Sequence, residues 1–228
     1  MKEIKTVIFD MDGVIINSEP VHMKVEQEIF CELGLNISEQ EHLTYVGRSG
    51  MDMMSVIFEK YQLGEKPEKV LSDIRSRYLN YLKEGDEIKP VENVLEIIRY
   101  LHEENKQLLL ASSATREEIK WVLNKLNLNK YFAFTISGAE LENSKPHPAI
   151  FNKAAELSET HPAQCCVIED SKNGVIAAKA AGMKCIGFRN PHSGNQDLSK
   201  ADVIIADFKK ADIVKVLANL ADAADADS

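Results

Sequence analysis

The chain has 228 residues, 44% of them hydrophobic, and a formal net charge of −9. That is enough apolar material for one large domain or a domain with an insert. The acidic balance, with no block of Lys or Arg, argues against nucleic acid or an anionic membrane as partner, and the longest apolar runs fall far short of the roughly 18 residues of a membrane span.

The four cysteines, Cys31, Cys165, Cys166 and Cys185, form no CxxC pair and read as reduced thiols of a cytoplasmic protein. Residues 1–5 are read as running straight into the first strand, so no signal peptide is expected. That strand is Thr6, Val7, Ile8 and Phe9, closed by Asp10, Met11, Asp12 and Gly13. Its composition is that of a buried strand stopping at its carboxyl end, which in an open α/β sheet is where ligands bind. Asp10 and Asp12, two apart in an extended segment, point to the same side. They repel unless a cation lies between them, and a hard cation such as Mg2+ prefers oxygen ligands. An ordinary strand-to-turn junction uses the same residue types.

Helical spacing follows. Ser18 is placed to cap a helix over residues 19–33, whose Val21, Val25, Ile29 and Leu33 recur at spacing four before Gly34 stops it. A second apolar-periodic stretch covers residues 51–63, up to Gly64. A third opens at Pro67 and carries Val70, Leu71, Ile74, Tyr78 and Leu82. Residues 17–84 are therefore predicted to be all-helical, and Gly85, Asp86, Glu87 and Pro90 mark a boundary.

From Val91 onward helix and strand alternate. Helices are predicted at residues 94–104, from Thr115 (with Glu118 in a capping-box pattern), at 148–157, 173–181 and 209–220. Strands are predicted at 108–111, 132–136, 165–168, 185–188 and 203–205. Residues 221–228 lack large apolar side chains and are expected to fray. The alternation predicts an α/β fold, a doubly wound, Rossmann-like parallel sheet with right-handed crossovers. Its core comprises residues 1–16 and 85–228, and residues 17–84 form an inserted helical cap, tethered over the carboxyl end of the sheet.

Three more features fall at predicted strand ends. Ser112 and Ser113 precede a helix, where a hydroxyl and backbone amides hold an anion or simply cap the helix. Ser144, Lys145, Pro146, His147 and Pro148 form a loop stiffened by two prolines, which fixes the Lys145 ammonium where it offsets carboxylate repulsion and attracts a phosphoryl group. A surface lysine beside proline punctuation reads the same way in sequence, and His147 reads as a loop residue. Glu169 and Asp170 repeat the logic of the first motif, before a helix capped by Ser171. They complete an oxygen cage for Mg2+ with Asp10, or compensate the helix dipole. In the insert, Gly47, Arg48, Ser49 and Gly50 suit an anion cradle or a plain interhelical turn.

In this order, Asp10-Met11-Asp12-Gly13-Val14, Ala111-Ser112-Ser113, Lys145-Pro146 and Glu169-Asp170-Ser171 resemble the four signature motifs of the haloacid dehalogenase-like superfamily of phosphotransferases. Asn17 to His22, Ser144 to Pro148 and Glu169 to Gly174 resemble its β-phosphoglucomutase-like branch, which includes many sugar-phosphate phosphatases. The likeness reaches to about residue 215 by motif matching.

The resemblance implies that Asp10 is a nucleophile forming an aspartyl-phosphate and that Asp12 serves as general acid and base. It implies Mg2+ held by Asp10, the backbone carbonyl of Asp12, Asp170 and Glu169, phosphoryl contacts from Ser112 and Lys145, and substrate contacts from Ser113, His22 and Arg48. Asp12 disfavours dehalogenation, which uses a lone aspartate. The chain departs from the branch at Ala149, where Asp is common. It also departs at Ser112-Ser113-Ala114-Thr115-Arg116, where the mutases carry a lysine for a second phosphate. The expected function is a phosphatase acting as a monomer on small phosphorylated metabolites such as sugar phosphates, without nucleic acid or membrane partners. The alternatives are a β-phosphoglucomutase or a catalytically silent phosphate-binding regulator.

Overall fold

The computed structural model describes residues 3–45, 50–64, 66–85 and 88–222. In chain order the elements are β1 (Thr6–Phe9), β2 (Ile16–Asn17), α1 (Glu19–Glu32), α2 (Glu39–Leu43), α3 (Gly50–Tyr61), α4 (Pro67–Glu84) and β3 (Lys89–Pro90). There follow α5 (Val94–Glu103), β4 (Gln107–Ser112), α6 (Arg116–Lys125), β5 (Phe132–Ser137), α7 (Ala149–Ser158) and β6 (Cys165–Glu169). The last are α8 (Lys172–Ala180), β7 (Lys184–Phe188), β8 (Val203–Ile205) and α9 (Lys210–Asp222). The chain divides into two compact units, Met1–Asn17 with Pro90–Ser228, and Ser18–Lys89.

The first unit is an α/β layer structure around a six-stranded sheet in the order β5-β4-β1-β6-β7-β8. All its pairings are parallel. The chain moves outward from β1 through β4 to β5, then returns to β6 on the other side of β1. That reversal makes the sheet doubly wound and puts its switch point at the carboxyl end of β1. Phe9 is level with Leu110 on one side and Ile168 on the other. Asp10, Ala111 and Glu169 therefore leave three adjacent strands at the same height.

Burial follows the pleat. On one face Ile8, Leu109, Ala111, Val167 and Cys185 pack with Ile150, Phe151 and Ala154 of α7 and with Val175, Ala177 and Ala178 of α8. On the other, Val7, Phe9, Leu110 and Ile168 are sealed, and the Phe9 ring meets Phe132 edge-on at 6.0 Å. Covered on both faces, the central strands read as continuous apolar runs. Small residues let α8 approach closely: a Cβ added at Gly174 would collide with the Glu169 carboxylate.

The second unit is helical. Val21, Val25 and Ile29 of α1, Met54 and Ile57 of α3, and Val70, Ile74, Tyr78 and Leu82 of α4 are buried. His42 of α2 is buried against Glu26, 2.5 Å from Oε2.

The structure differs from the sequence expectation in a few places. Helix α2 is too short for a periodic signal and is set by Ser38, whose side chain accepts from Glu41 N. β2 and β3 are two residues each and pair where the chain leaves and re-enters the sheet unit. Ser18 occupies the cap position of α1, but its side chain makes no capping bond; its carbonyl accepts from Val21 N and His22 N instead. Helix α3 stops at Tyr61 because Gln62 takes a positive φ of 52°. The capping box at Thr115 and Glu118 is present. Among the described residues no helix is long and apolar enough to cross a membrane.

Candidate active site

Asp10 continues the β1–β6 ladder by one bond, its N–H donating to Ile168 O at 3.0 Å. The chain then turns tightly. Gly13 N donates to Ile16 O at 2.8 Å, and Ile15 N and Ile16 N both donate to Met11 O. Gly13 adopts the left-handed φ of +76° that this turn requires. Asp12 stands on the turn, half-buried, bridged to Ile16.

Lys145 enters from the loop that follows β5. Its ammonium donates to Asp10 Oδ1 at 2.6 Å, to Glu169 Oε1 at 2.6 Å and to Ala111 O at 3.4 Å. The Phe151 ring lies 5.2 Å away. The loop is pinned by His147 N donating to Ser144 O and by Ala149 N donating to His147 Nδ1, so His147 serves the start of α7.

Glu169, at the end of β6, has both oxygens engaged: Oε1 with Lys145, Oε2 with Ser171 N and Oγ, each at 2.9 Å. Ser171 Oγ in turn accepts from Gly174 N and caps α8. Asp170 accepts a short hydrogen bond on Oδ2 from Ser193 Oγ. Ser112, the last residue of β4, accepts from Ala114 N at 3.0 Å and lies 3.4 Å from Asp12 Oδ2. Ser113, next to it, is exposed.

Asp10, Asp12, Ser112, Lys145, Glu169 and Asp170 thus converge at one end of the sheet. His22 belongs to the helical unit, where its ring stacks on Tyr78 at 3.8 Å. Arg48 lies outside the described residues. Two residues of this end were not singled out from the sequence, Asn190 and Ser193. The signal was available, since both follow the buried strand β7 at the ligand-binding end of the sheet.

The electrostatics are those of crowded, desolvated acids. Burial, with Glu169 and Asp12 adding to it and Lys145 opposing it, pushes the Asp10 carboxyl up to about 8. Burial and the neighbouring Glu169 and Asp10 push Asp170 well above the carboxylate range. Burial pulls Lys145 down, but Asp10 and Glu169 outweigh it and hold the ammonium firmly charged. Three buried carboxyls therefore share one cation.

A further cation fits this donor set. Among the described residues no group of three or more His, Cys, Asp or Glu side chains converges as a closed metal cage. Mg2+ does not need one. It keeps several waters and is held by one or two carboxylates together with substrate phosphate. Asp10 and Asp170 are the two carboxylates that Lys145 and Ser193 engage at one oxygen each. The hard-oxygen set and the excess of buried negative charge are what such an ion compensates.

A family model of haloacid dehalogenase-like hydrolases matches residues 7–188. Hexitol phosphatase B of Escherichia coli is 29% identical over 219 residues, covering 95% of this chain and 96% of that protein. The phosphorylated carbohydrates phosphatase of Thermotoga maritima is 28% identical over 183 residues, 80% of this chain and 84% of the other. Among solved structures, a putative β-phosphoglucomutase of Thermotoga maritima superposes with a TM-score of 0.71 at 27% identity, covering 94% of this chain and 99% of that one.

Proposed function

This chain belongs to the haloacid dehalogenase-like hydrolases, and we propose that it is a Mg2+-dependent phosphatase of small phosphorylated metabolites, working through an aspartyl-phosphate on Asp10. The observation that carries the proposal is the Lys145 ammonium, 2.6 Å from Asp10 Oδ1 at the end of the central strand. It offsets part of the burial that raises the Asp10 carboxyl, which favours the attacking anion, and it draws in a phosphoryl group.

Asp10 attacks phosphorus and the bond to the leaving oxygen breaks. Asp12 gives that oxygen a proton, then takes one from the water that cleaves the aspartyl-phosphate and regenerates Asp10. Ser112, Ser113 and Lys145 hold phosphoryl oxygens. Asp10, Asp170 and the Asp12 carbonyl would hold Mg2+, with Glu169 set behind Lys145. Bound there, the ion supplies positive charge that lets an anionic nucleophile meet an anionic ester. The family likeness gives the Ser18–Lys89 unit the role of substrate reader, with His22 and Arg48 as its candidate contacts. Hexose and hexitol phosphates are the first substrates to try, because relatives are named for hexitol and phosphorylated-carbohydrate phosphatases. The free cysteines, three of them buried, accord with a cytoplasmic setting.

The second reading is a β-phosphoglucomutase, favoured by the solved relative of that name. It requires a cation for a second phosphate. Thr115 stands where the lysine is expected and is spent in the α6 capping box. Arg116 is paired with Glu140, Nε at 2.8 Å and Nη2 at 2.5 Å. Hydrolysis is therefore preferred. Product analysis with β-glucose 1-phosphate, Mg2+ and a trace of the sugar bisphosphate tests it. Free phosphate is expected to dominate and to vanish in EDTA. Glucose 6-phosphate accumulating faster would establish the mutase, and no turnover even of p-nitrophenyl phosphate would leave a silent phosphate binder.

A further inference from the structure

The loop after β7 folds back onto both carboxylate-bearing turns. Asn190 is 4% exposed and Ser193 is 7% exposed. Asn190 Nδ2 donates to Gly13 O at 2.7 Å and to Asn17 Oδ1 at 2.9 Å, while its Oδ1 accepts from His192 N at 2.8 Å. Ser193 N donates to Asn190 O, and Ser193 Oγ donates to Asp170 Oδ2. A single short segment thus fastens the turn after β1 and the acid after β6 to each other. Pro191 between the two residues limits its freedom.

We propose that Ser193 is a positioning residue for Asp170, with Asn190 holding Ser193 in register. The inference rests on the proposed metal site. Asp170 without a partner could turn either oxygen toward a cation or away from it. The Ser193 hydroxyl occupies Oδ2 and fixes the carboxylate plane, so that Oδ1 is the oxygen a cation draws on. Hydrogen bonds to a ligating carboxylate set its orientation in this way, and losing one typically weakens metal binding by 10–100-fold. The Ser193 hydroxyl is given to Asp170 Oδ2. It acts through Asp170 alone, so its effect must disappear when Asp170 can no longer ligate.

Mn2+ binding, followed by the electron paramagnetic resonance signal of the free ion, tests this on the full chain without substrate. The set comprises wild type, Ser193→Ala, Asp170→Asn and the double variant. Ser193→Ala is expected to weaken Mn2+ binding by about 10-fold or more, and the double variant should bind no worse than Asp170→Asn. In p-nitrophenyl phosphate hydrolysis, Ser193→Ala should raise the Mg2+ concentration for half-activation by a similar factor, while kcat at saturating Mg2+ stays within about threefold. Wild-type Mn2+ affinity in Ser193→Ala overturns the proposal, and so does a further full loss on adding Ser193→Ala to Asp170→Asn. If wild type itself binds no Mn2+, the metal site fails and this inference with it. If wild type binds and Ser193→Ala binds equally, only this inference fails.

Discussion

Lys145 donates to Glu169 Oε1 at 2.6 Å, with the lysine 8% and the glutamate 1% exposed. Glu169 is the inner counterion of the lysine, and Asp10 the outer one. Breaking a buried pair by removing one partner typically costs about 3–5 kcal/mol, because the other charge is left uncompensated. Lys145→Ala should therefore lower unfolding stability by about that amount, since it leaves both Asp10 and Glu169 without their cation. Ser171→Ala, which removes a helix cap, should cost only about 0.5–2 kcal/mol. Urea unfolding of the two variants checks the ranking, and equal midpoints at equal slope would refute it.

The two aspartates of the first motif should separate by leaving group. Asp10→Asn removes the nucleophile and should abolish turnover of every substrate, because an amide does not form the acyl-phosphate. Asp12→Asn should slow alkyl phosphates by about 10²–10⁴-fold, the usual worth of a positioned acid/base group. It should slow p-nitrophenyl phosphate far less, since that leaving group needs little protonation. Steady-state rates on hexose phosphates and p-nitrophenyl phosphate make the comparison. Wild-type turnover in Asp10→Asn would remove it from its role.

Much of this was legible in the sequence because the signals are local. Thr6–Phe9 is an apolar run bounded by Asp and Gly, and it emerges as the central strand, buried on both faces. Pro67 opens α4 and Thr115 caps α6, as their residue types require. What stayed hidden depends on partners distant in sequence. Glu169 and Asp170 read alike as adjacent acids, yet one faces Lys145 and the other Ser193. Nothing in the spacing says that a polar loop at 189–196 returns to Gly13, which Asn190 reaches across 177 positions. The pairing of Arg116 with Glu140 is hidden in the same way.

Thiol reactivity should divide the cysteines by burial. Burial pushes the Cys165 thiol up to about 11 and lifts Cys166 and Cys185 well above their ordinary range. Because a raised pKa means less thiolate, these three should resist alkylation at pH 8. Cys31 is exposed and should react. Mass spectrometry after iodoacetamide should find one label on the native chain and four after denaturation. Rapid labelling of Cys166 or Cys185 in the native protein would contradict the burial of β6 and β7.

Gly13 and Gly34 offer a matched pair. Both hold left-handed φ angles, +76° and +74°. An alanine pays for that conformation at either position, about 1–2 kcal/mol. Their surroundings differ. A Cβ at Gly34 meets nothing within 4 Å, whereas one at Gly13 runs into Asp170 Oδ2 and Ser193 Oγ. Gly34→Ala should therefore cost only the backbone term and leave hydrolysis within about twofold. Gly13→Ala should lose more stability than Gly34→Ala and, by displacing the Asp170 carboxylate, should weaken Mn2+ binding by about 10-fold or more. Thermal unfolding in EDTA measures the first difference and Mn2+ titration the second. Equal metal affinity in the two variants would mean that the turn after β1 and the acid after β6 are not in contact, which would unseat Gly13, Asp170 and Ser193 as one assembly.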